Sequence, residues 1–383
     1  MSTRRLGILT AGCLLLTGVA GASGGPDDIH SPNIRQIATA PIVVPGGERA
    51  DGSDLAFEGD LIVAGSYSGT GFFKILPGPP YVKQIGFHNC AGGQGDVNVY
   101  KDLAFVALDS AQGEAIECKE SVGMEGVRIL DISNPAKPRQ VQFVATDCGA
   151  HTQVINPSGD KIYIYVMSYP LGVQTATCSA ASHRKVSIIE VPLSAPEKAK
   201  VVGWLDVSPE IGCHDVTIFP KSKLAAAACI SESQIWDVSE PDKPVIISRI
   251  YNPSIGIHHG TAVTWDEKYL AIADEFAGSI TGECAGNQRS PAGGLWFYDI
   301  SDPTLPMLAG YYNIPRRSNP ETAEEVAYMA CTTHNFNILP MKEKGSYIAA
   351  VGYRSAGLSV VDFSDPGDPK EIGYYLQLEE GLI

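Results

Sequence analysis

Short apolar runs alternate with polar turns along most of the chain, and one arrangement of them recurs. Its clearest copy is 295–311, where an apolar run ends in DISDP (299–303) and a second run follows Pro306. Proline fixes φ and lacks a backbone donor, and Asp and Ser side chains bond nearby backbone amides, so neither run can continue as a helix. The pattern predicts two strands joined by a tight turn.

The same strand–turn–strand unit returns along the chain. Further copies occupy 126–144, 235–250 and 358–375, with weaker ones at 72–87 and 185–205. Each unit follows another pair of apolar runs, and these pairs open at Ser53, Gly95, His151, Cys213, His259 and His334. The turn prolines (Pro135, Pro196, Pro241, Pro303 and Pro366) recur every 45 to 63 residues. Four short strands per repeat, six visible repeats and almost no helical periodicity predict an all-β fold, a β-propeller of four-stranded blades.

These turns and the strands before them resemble a known family. The pattern DISxPxxP after a strand of the type (L/V)-x-(I/V)-hydrophobic-D resembles the LVIVD-repeat family of exported bacterial proteins. GQGDVNV (93–99), CGAHTQ (148–153), 212–229 and CTTHNFNILP (331–340) resemble a secreted branch of that family. The resemblance covers nearly the whole mature chain and implies a propeller, but it implies no particular activity.

The number of blades has two interpretations. Residues 34–38 predict an outermost strand supplied by the N-terminus to close the ring, yet the sixth repeat already has an outer strand at 371–376. Either six blades close with a spare N-terminal strand, or a seventh blade is incomplete at the C-terminus. Members of the family often continue with another repeat, which favours the second alternative.

The first residues predict export. Arg4 and Arg5 precede an apolar run at 6–20, and Ala20-Gly21-Ala22 then offers a small-x-small cleavage site. A lipoprotein site at Cys13 fits less well, because the apolar region continues beyond it. We therefore expect a signal peptide at 1–22, a linker with the closing strand at 23–52, and the propeller at 53–383. No other stretch is apolar and long enough to span a membrane, so we expect a periplasmic, cell-surface or extracellular protein.

The charge of the chain excludes one class of partner. Its net charge of −15 leaves no basic stripe that could displace phosphate counterions, so nucleic acid is not an expected partner. The acidity suits solubility outside the cell or a cationic ligand. We expect a monomer whose partner is a protein or a small-molecule ligand of unknown identity.

The predicted topology separates the two ends of the propeller. With strands a to d counted from the axis outward, the a–b and c–d turns lie at the bottom, and the b–c loops lie at the end where strand a begins. We call this end the top face. Three of its loops are long, at 110–125, 169–184 and 278–294, and long loops on one face are typical of a binding face.

All eight cysteines that follow the leader are predicted to lie at this top face. An even number of cysteines in an exported chain indicates disulfides, and neighbouring top elements predict Cys90–Cys118, Cys148–Cys178, Cys213–Cys229 and Cys284–Cys331. Metal thiolates are the alternative, but the chain lacks a C-x-x-C pair.

Histidines recur at the start of strand a in four consecutive repeats: His151, His214, His259 and His334. Inner strands converge on the axis, so these side chains could together bind a divalent metal such as zinc or copper. Candidate ligand-binding residues nearby are Asp96, Asp215, Asn335, Asp274 and Glu275. The simpler interpretation is structural, since a repeated residue that bonds the next strand would recur in the same way.

The sequence leaves the catalytic residues unknown, because it contains no H-E-x-x-H, EF-hand loop or C-x-x-C-H. Our first hypothesis is an interaction or ligand-binding scaffold acting through the loop-rich, disulfide-stapled top face. The alternative is a metal-dependent, oxidoreductase-like enzyme that uses the histidines, by analogy with propellers of the selenium-binding-protein type. Imidazole nitrogens within about 4–5 Å of one point would favour a metal.

Overall fold

A computed structural model describes residues 29–109, 117–167, 182–207, 211–275, 293–314, 332–354 and 356–376. Six four-stranded antiparallel sheets form a ring, so the protein is a six-bladed β-propeller. Within the described residues the helical segments are two short 3₁₀ turns, Ser182–Arg184 and Pro196–Lys198. No helix in that part of the chain has the length and hydropathy needed to cross a membrane.

The strands follow one another around the ring in chain order. Before the blades come β1 (Ile29–His30), β2 (Ile42–Val43) and β3 (Arg49–Ala50). Blade 1 contains β4 (Gly52–Glu58), β5 (Leu61–Ser66), β6 (Gly69–Ile75) and β7 (Val82–His88), and blade 2 contains β8 (Val97–Tyr100), β9 (Leu103–Leu108), β10 (Gly126–Asp131) and β11 (Arg139–Ala145). Blade 3 contains β12 (Thr152–Ser158), β13 (Lys161–Met167), β14 (Lys185–Pro192) and β15 (Lys200–Asp206), and blade 4 contains β16 (Asp215–Ile218), β17 (Leu224–Ala228), β18 (Ser233–Asp237) and β19 (Val245–Ile250). Blade 5 contains β20 (His258–Val263), β21 (Tyr269–Asp274), β22 (Leu295–Asp299) and β23 (Met307–Tyr312), and blade 6 contains β24 (Thr333–Leu339), β25 (Ile348–Tyr353), β26 (Gly357–Asp362) and β27 (Lys370–Leu376).

The first strand of each blade is the innermost one. From β4 to β24, the first strand of each blade lies beside the first strand of the next. The middle strands are apolar on both faces because each blade packs between two others, and β9 is buried along its whole length. Phe297 of blade 5 stacks on Phe363 of blade 6 with their ring centroids 4.5 Å apart.

Glycines in the outer strands let neighbouring blades approach closely. A Cβ added to Gly86 would lie 2.1 Å from the carbonyl oxygen of Pro135, which belongs to the proline turn of the next blade. A Cβ added to Gly310 would likewise lie 1.8 Å from the carbonyl oxygen of Pro366. The proline turn therefore ends one blade and also packs on the preceding one, which explains why glycine and proline recur together.

Blade 6 carries the N-terminal strand as a fifth strand. β1 pairs with β27, with Ile29 opposite Leu376 and His30 opposite Tyr375. The strand predicted at 34–38 is therefore wrong in position, because those residues are not in a strand. Ile34 instead packs on Gly373, where an added Cβ would lie 2.8 Å from its Cγ1. The observed ring has six blades and a spare N-terminal strand, which is the first of the two alternatives.

Disulfides join neighbouring elements of the top face. Cys90–Cys118 and Cys213–Cys229 are formed as predicted. Cys148 is also disulfide-bonded, and its predicted partner Cys178 lies outside the described residues. The predicted pair Cys284–Cys331, the signal peptide at 1–22 and much of the three long top loops also lie outside them.

Candidate functional site

The four repeated histidines meet near the propeller axis. Ring centroids lie 4.7 Å apart for His151 and His214, 3.8 Å for His214 and His259, and 4.6 Å for His259 and His334. His259 and His334 lie within β-bulges at the start of their inner strands. A bulge redirects a side chain that regular pairing would send to one face of the blade. The structure thus brings all four side chains together in a chain of imidazoles.

The first two histidines are held by an aspartate and by each other. Nδ1 of His151 lies 3.1 Å from Oδ1 of Asp109, and Nε2 of His151 lies 3.1 Å from Nε2 of His214. Because a carboxylate accepts, Nδ1 of His151 donates to Asp109, and one of the two facing Nε2 atoms donates to the other. Asp109 was missed by the sequence analysis, although it follows a middle strand at the top face, just as Glu275 does.

The other two histidines lie beside Glu275 and Arg354. Oε2 of Glu275 is 3.3 Å from Nε2 of His259, and Oε1 is 3.7 Å from Nε2 of His334. Nη2 of Arg354 donates to Nε2 of His334 at 2.9 Å and lies 3.2 Å from Oε1 of Glu275. One ligand atom each from His259, Glu275 and His334 lie within 4.8 Å of one another, a donor set that could hold a metal ion.

The surroundings keep most of these imidazoles uncharged. Burial lowers the pKa of His214 and His259 well below the ordinary value, and the neighbouring histidines lower it further. Burial, followed by the positive charge of Arg354, lowers the pKa of His334 to about 4. At neutral pH these rings therefore offer nitrogen lone pairs rather than positive charge.

Three carboxyl groups near the axis belong to Asp54, Asp96 and Asp215. In the repeat, these residues occupy the position directly after that of the repeated histidines. Oδ2 of Asp54 accepts a bond from the backbone N–H of Val97, and Oδ2 of Asp96 accepts one from Gln153, both at 3.0 Å. Each bond crosses from one blade to the next. Burial raises the pKa of Asp96 well above its ordinary value, with further contributions from Asp54 and Asp215. Burial is also the main cause that raises the pKa of Asp215, to about 7.

One predicted ligand-binding residue has a different position. Asp274 is fully buried, and its carboxylate accepts backbone hydrogen bonds from Gly256, Ile257 and Gly293 at 2.8–3.0 Å. It does not line the axial cavity, because its oxygens fix the loops around the end of β21. Asp274 thereby positions the next residue, Glu275, which does line the cavity.

The site opens into a cavity of about 1500 Å³. Its axial end is lined by the four histidines together with Asp54, Asp96, Asp215, Glu275, Asn335 and Arg354. Much of the remaining lining comes from β2, β3 and blades 1 and 6, and it includes the charged Arg49 and Asp51 and the apolar side chains of Ile42, Leu55, Ile62, Phe73, Phe336 and Ala350. We call these six apolar side chains the apolar wall, and the cavity combines them with the polar groups of its axial end.

Comparisons with known proteins agree with this fold. Residues 122–146, 292–314 and 343–377 match the family model of the LVIVD repeat, which confirms the resemblance found in the sequence. No curated protein matches the sequence of this chain.

Solved structures share the architecture at low sequence identity. The periplasmic gluconolactonase of Pseudomonas aeruginosa is 10% identical, with 85% of each chain covered and a TM-score of 0.59. A protein from Bacteroides uniformis described as a putative 6-phosphogluconolactonase is 12% identical over 85% of each chain, with a TM-score of 0.57. A hypothetical selenium-binding protein from Sulfolobus tokodaii is 11% identical over 83% of this chain and 77% of its own, with a TM-score of 0.54. At these identities the similarity shows the fold alone.

Proposed function

We propose that this chain, an LVIVD-repeat β-propeller, is a ligand-binding scaffold that takes a small amphipathic molecule into its axial cavity. The observation that carries the proposal is the cavity of about 1500 Å³, whose lining combines the polar side chains of the axial end with the apolar wall. Binding pockets for small molecules are typically concave, mostly apolar and furnished with a few polar groups that orient the ligand.

The polar end suits a head group that both donates and accepts hydrogen bonds. The uncharged imidazoles and the carboxyl groups with raised pKa can do either, while Arg354 supplies a half-exposed donor. The apolar wall is partly open, since Leu55 is 57% exposed. Covering such a surface with the apolar part of a ligand removes it from water and stabilises the complex.

The disulfides support a location outside the cytoplasm. Cys90–Cys118 and Cys213–Cys229 require an oxidising compartment to form and persist. We propose that the protein is exported and that these bridges hold the rim of the cavity in shape. The gluconolactonase names belong to chains that share only the fold, so no lactonase activity is carried over.

Binding of anilinonaphthalene sulfonate, a dye with an anionic group and two aromatic systems, tests this proposal. Fluorescence titration of the mature protein should show one saturable site. Ala350 lines the apolar wall and is half-buried, so Ala350→Trp should narrow the cavity at that wall and weaken binding by about tenfold or more, which is about 1.4 kcal/mol.

The matched control is Tyr251→Ala, which removes an aromatic side chain that is 74% exposed and lies outside the cavity lining. Its dye affinity should equal that of the unaltered protein. Equal affinity in Ala350→Trp, or an equal loss in both variants, would show that the dye binds elsewhere and would overturn the proposal.

A further inference from the structure

We infer that the cavity contains a divalent transition-metal site formed by His259, Glu275 and His334. The inference rests on the proposed function, because the ion would form part of the polar end of that cavity and would contact its ligand. The three donors come from two neighbouring blades: His259 from β20, Glu275 from the end of β21, and His334 from β24.

The geometry of the donors is close to that of a bound site. One ring nitrogen each of His259 and His334 and one carboxylate oxygen of Glu275 all lie within 4.8 Å of one another. With Zn–N bonds of about 2.0–2.1 Å, two nitrogens of a tetrahedral site stand about 3.3 Å apart. The separations in the structure therefore exceed this value by at most about 1.5 Å.

Hydrogen bonding shows that one donor is already in the form that a metal requires. A guanidinium group carries donors only, so Nε2 of His334, which receives a hydrogen bond from Arg354 at 2.9 Å, must present a lone pair. This is the tautomer that binds a metal through Nε2.

The guanidinium group of Arg354 lies beside two of the three donors. The same Nη2 that bonds His334 lies 3.2 Å from Oε1 of Glu275, so one positive group faces two of the three donors. Its side chain is 45% exposed, while that of Glu275 is 9% exposed. The arginine can therefore swing out to solvent when a doubly charged ion takes its place, whereas Glu275 cannot.

The ligand set also identifies the class of ion. Two imidazoles and one carboxylate suit zinc, copper or cobalt better than magnesium or calcium, which prefer oxygen ligands. A three-ligand set leaves at least one coordination position for water or for a donor atom of the bound molecule. Glu275, His334 and Arg354 all line the cavity, so this position would open into the cavity.

Calorimetric titration of the chelator-treated mature protein with zinc sulfate tests the inference, with His30→Gln as the matched control. His30 is an exposed histidine on β1. We expect one zinc ion per chain for the unaltered protein and the same affinity for His30→Gln. Glu275→Gln and His334→Gln should each bind zinc at least tenfold more weakly, since even changes around ligands cost about 10–100-fold.

Arg354→Gln separates a specific site from a general loss of structure. Removing the competing cation should tighten zinc binding by several-fold, an effect that partial unfolding cannot produce. Absence of zinc binding, or a zinc affinity unchanged in Glu275→Gln and His334→Gln, would overturn the metal site. The dye titration on the same samples keeps the two proposals distinct, because dye binding without zinc binding would leave the scaffold proposal standing and remove only the metal site.

Discussion

Arg128 and Glu120 form an ion pair in which each side chain is only 1% exposed. Nε of Arg128 donates to Oε1 of Glu120 at 3.0 Å, and Nη1 donates to the carbonyl oxygen of Cys90 at 2.9 Å. Gln140 donates to the other carboxylate oxygen at 2.7 Å. The pair therefore connects β10 to the chain on both sides of the Cys90–Cys118 disulfide.

Arg128→Met should destabilise the protein by about 3–5 kcal/mol, because it leaves the buried carboxylate of Glu120 without its counter-charge. Urea unfolding followed by circular dichroism measures this change. The control is Lys370→Ala, which breaks an exposed pair with Asp368 and should cost about 1 kcal/mol or less. A cost for Arg128→Met no larger than that of the control would show that the pair contributes little.

Peptide mapping under non-reducing conditions should find four disulfides in the mature protein. Two are Cys90–Cys118 and Cys213–Cys229, and we expect the others to be Cys148–Cys178 and Cys284–Cys331, because the sequence predicts that each of these pairs joins neighbouring elements of the top face. Mass spectrometry of the linked peptides identifies the partners. A free thiol or any other pairing would contradict the predicted arrangement of the top face.

The buried carboxyl groups of Asp54, Asp96 and Asp215 should make the protein less stable as the pH rises. The pKa of Asp96 is higher in the folded protein than the ordinary value of 3.8, so the folded state binds the proton more tightly. Asp96 is protonated in both states well below that value, and stability is lost as the pH rises through the folded pKa. The raised pKa of Asp215, about 7, lowers the stability in the same way as the pH rises.

Asp96→Asn should therefore raise the melting temperature at alkaline pH and have little effect near pH 4. Asparagine keeps an oxygen that can accept the bond from the backbone N–H of Gln153. Thermal unfolding of both proteins over a pH series measures the difference. Asp102→Asn alters an exposed residue of the same blade and serves as the control. A difference between Asp96→Asn and the unaltered protein that does not change with pH would contradict this account.

We expect export to remove the leader and to leave a mature protein that begins at Ser23. Cleavage after Ala22 follows from the small residues at Ala20 and Ala22 behind the apolar run. Intact-mass measurement of protein recovered from the periplasm or the culture medium checks this. A retained leader, or a lipid attached to Cys13, would contradict the predicted cleavage site.

The local sequence determined most of the fold. The DISxP turns act through φ restriction and short side-chain bonds, such as Asp299 accepting from the backbone N–H of Ser301 at 2.9 Å. Such interactions span only a few residues, so their repetition predicted the blades, the strand order and the face that carries the cysteines. Two disulfide pairs followed, because neighbouring top elements are close in any ring of this kind.

The tertiary structure decided the site. Asp109 contacts His151, which lies 42 residues later in the chain, and Arg354 contacts Glu275, which lies 79 residues earlier. No periodicity encodes such pairs, because each depends on how two blades pack around the axis. Asp274 and Glu275 are adjacent in the sequence, yet one fixes three backbone amides and the other faces the cavity. Ile29–His30 forms the spare strand because its backbone pairs with β27. The sequence by itself therefore determined the repeated local units, while packing between blades determined which polar side chains came to face one another.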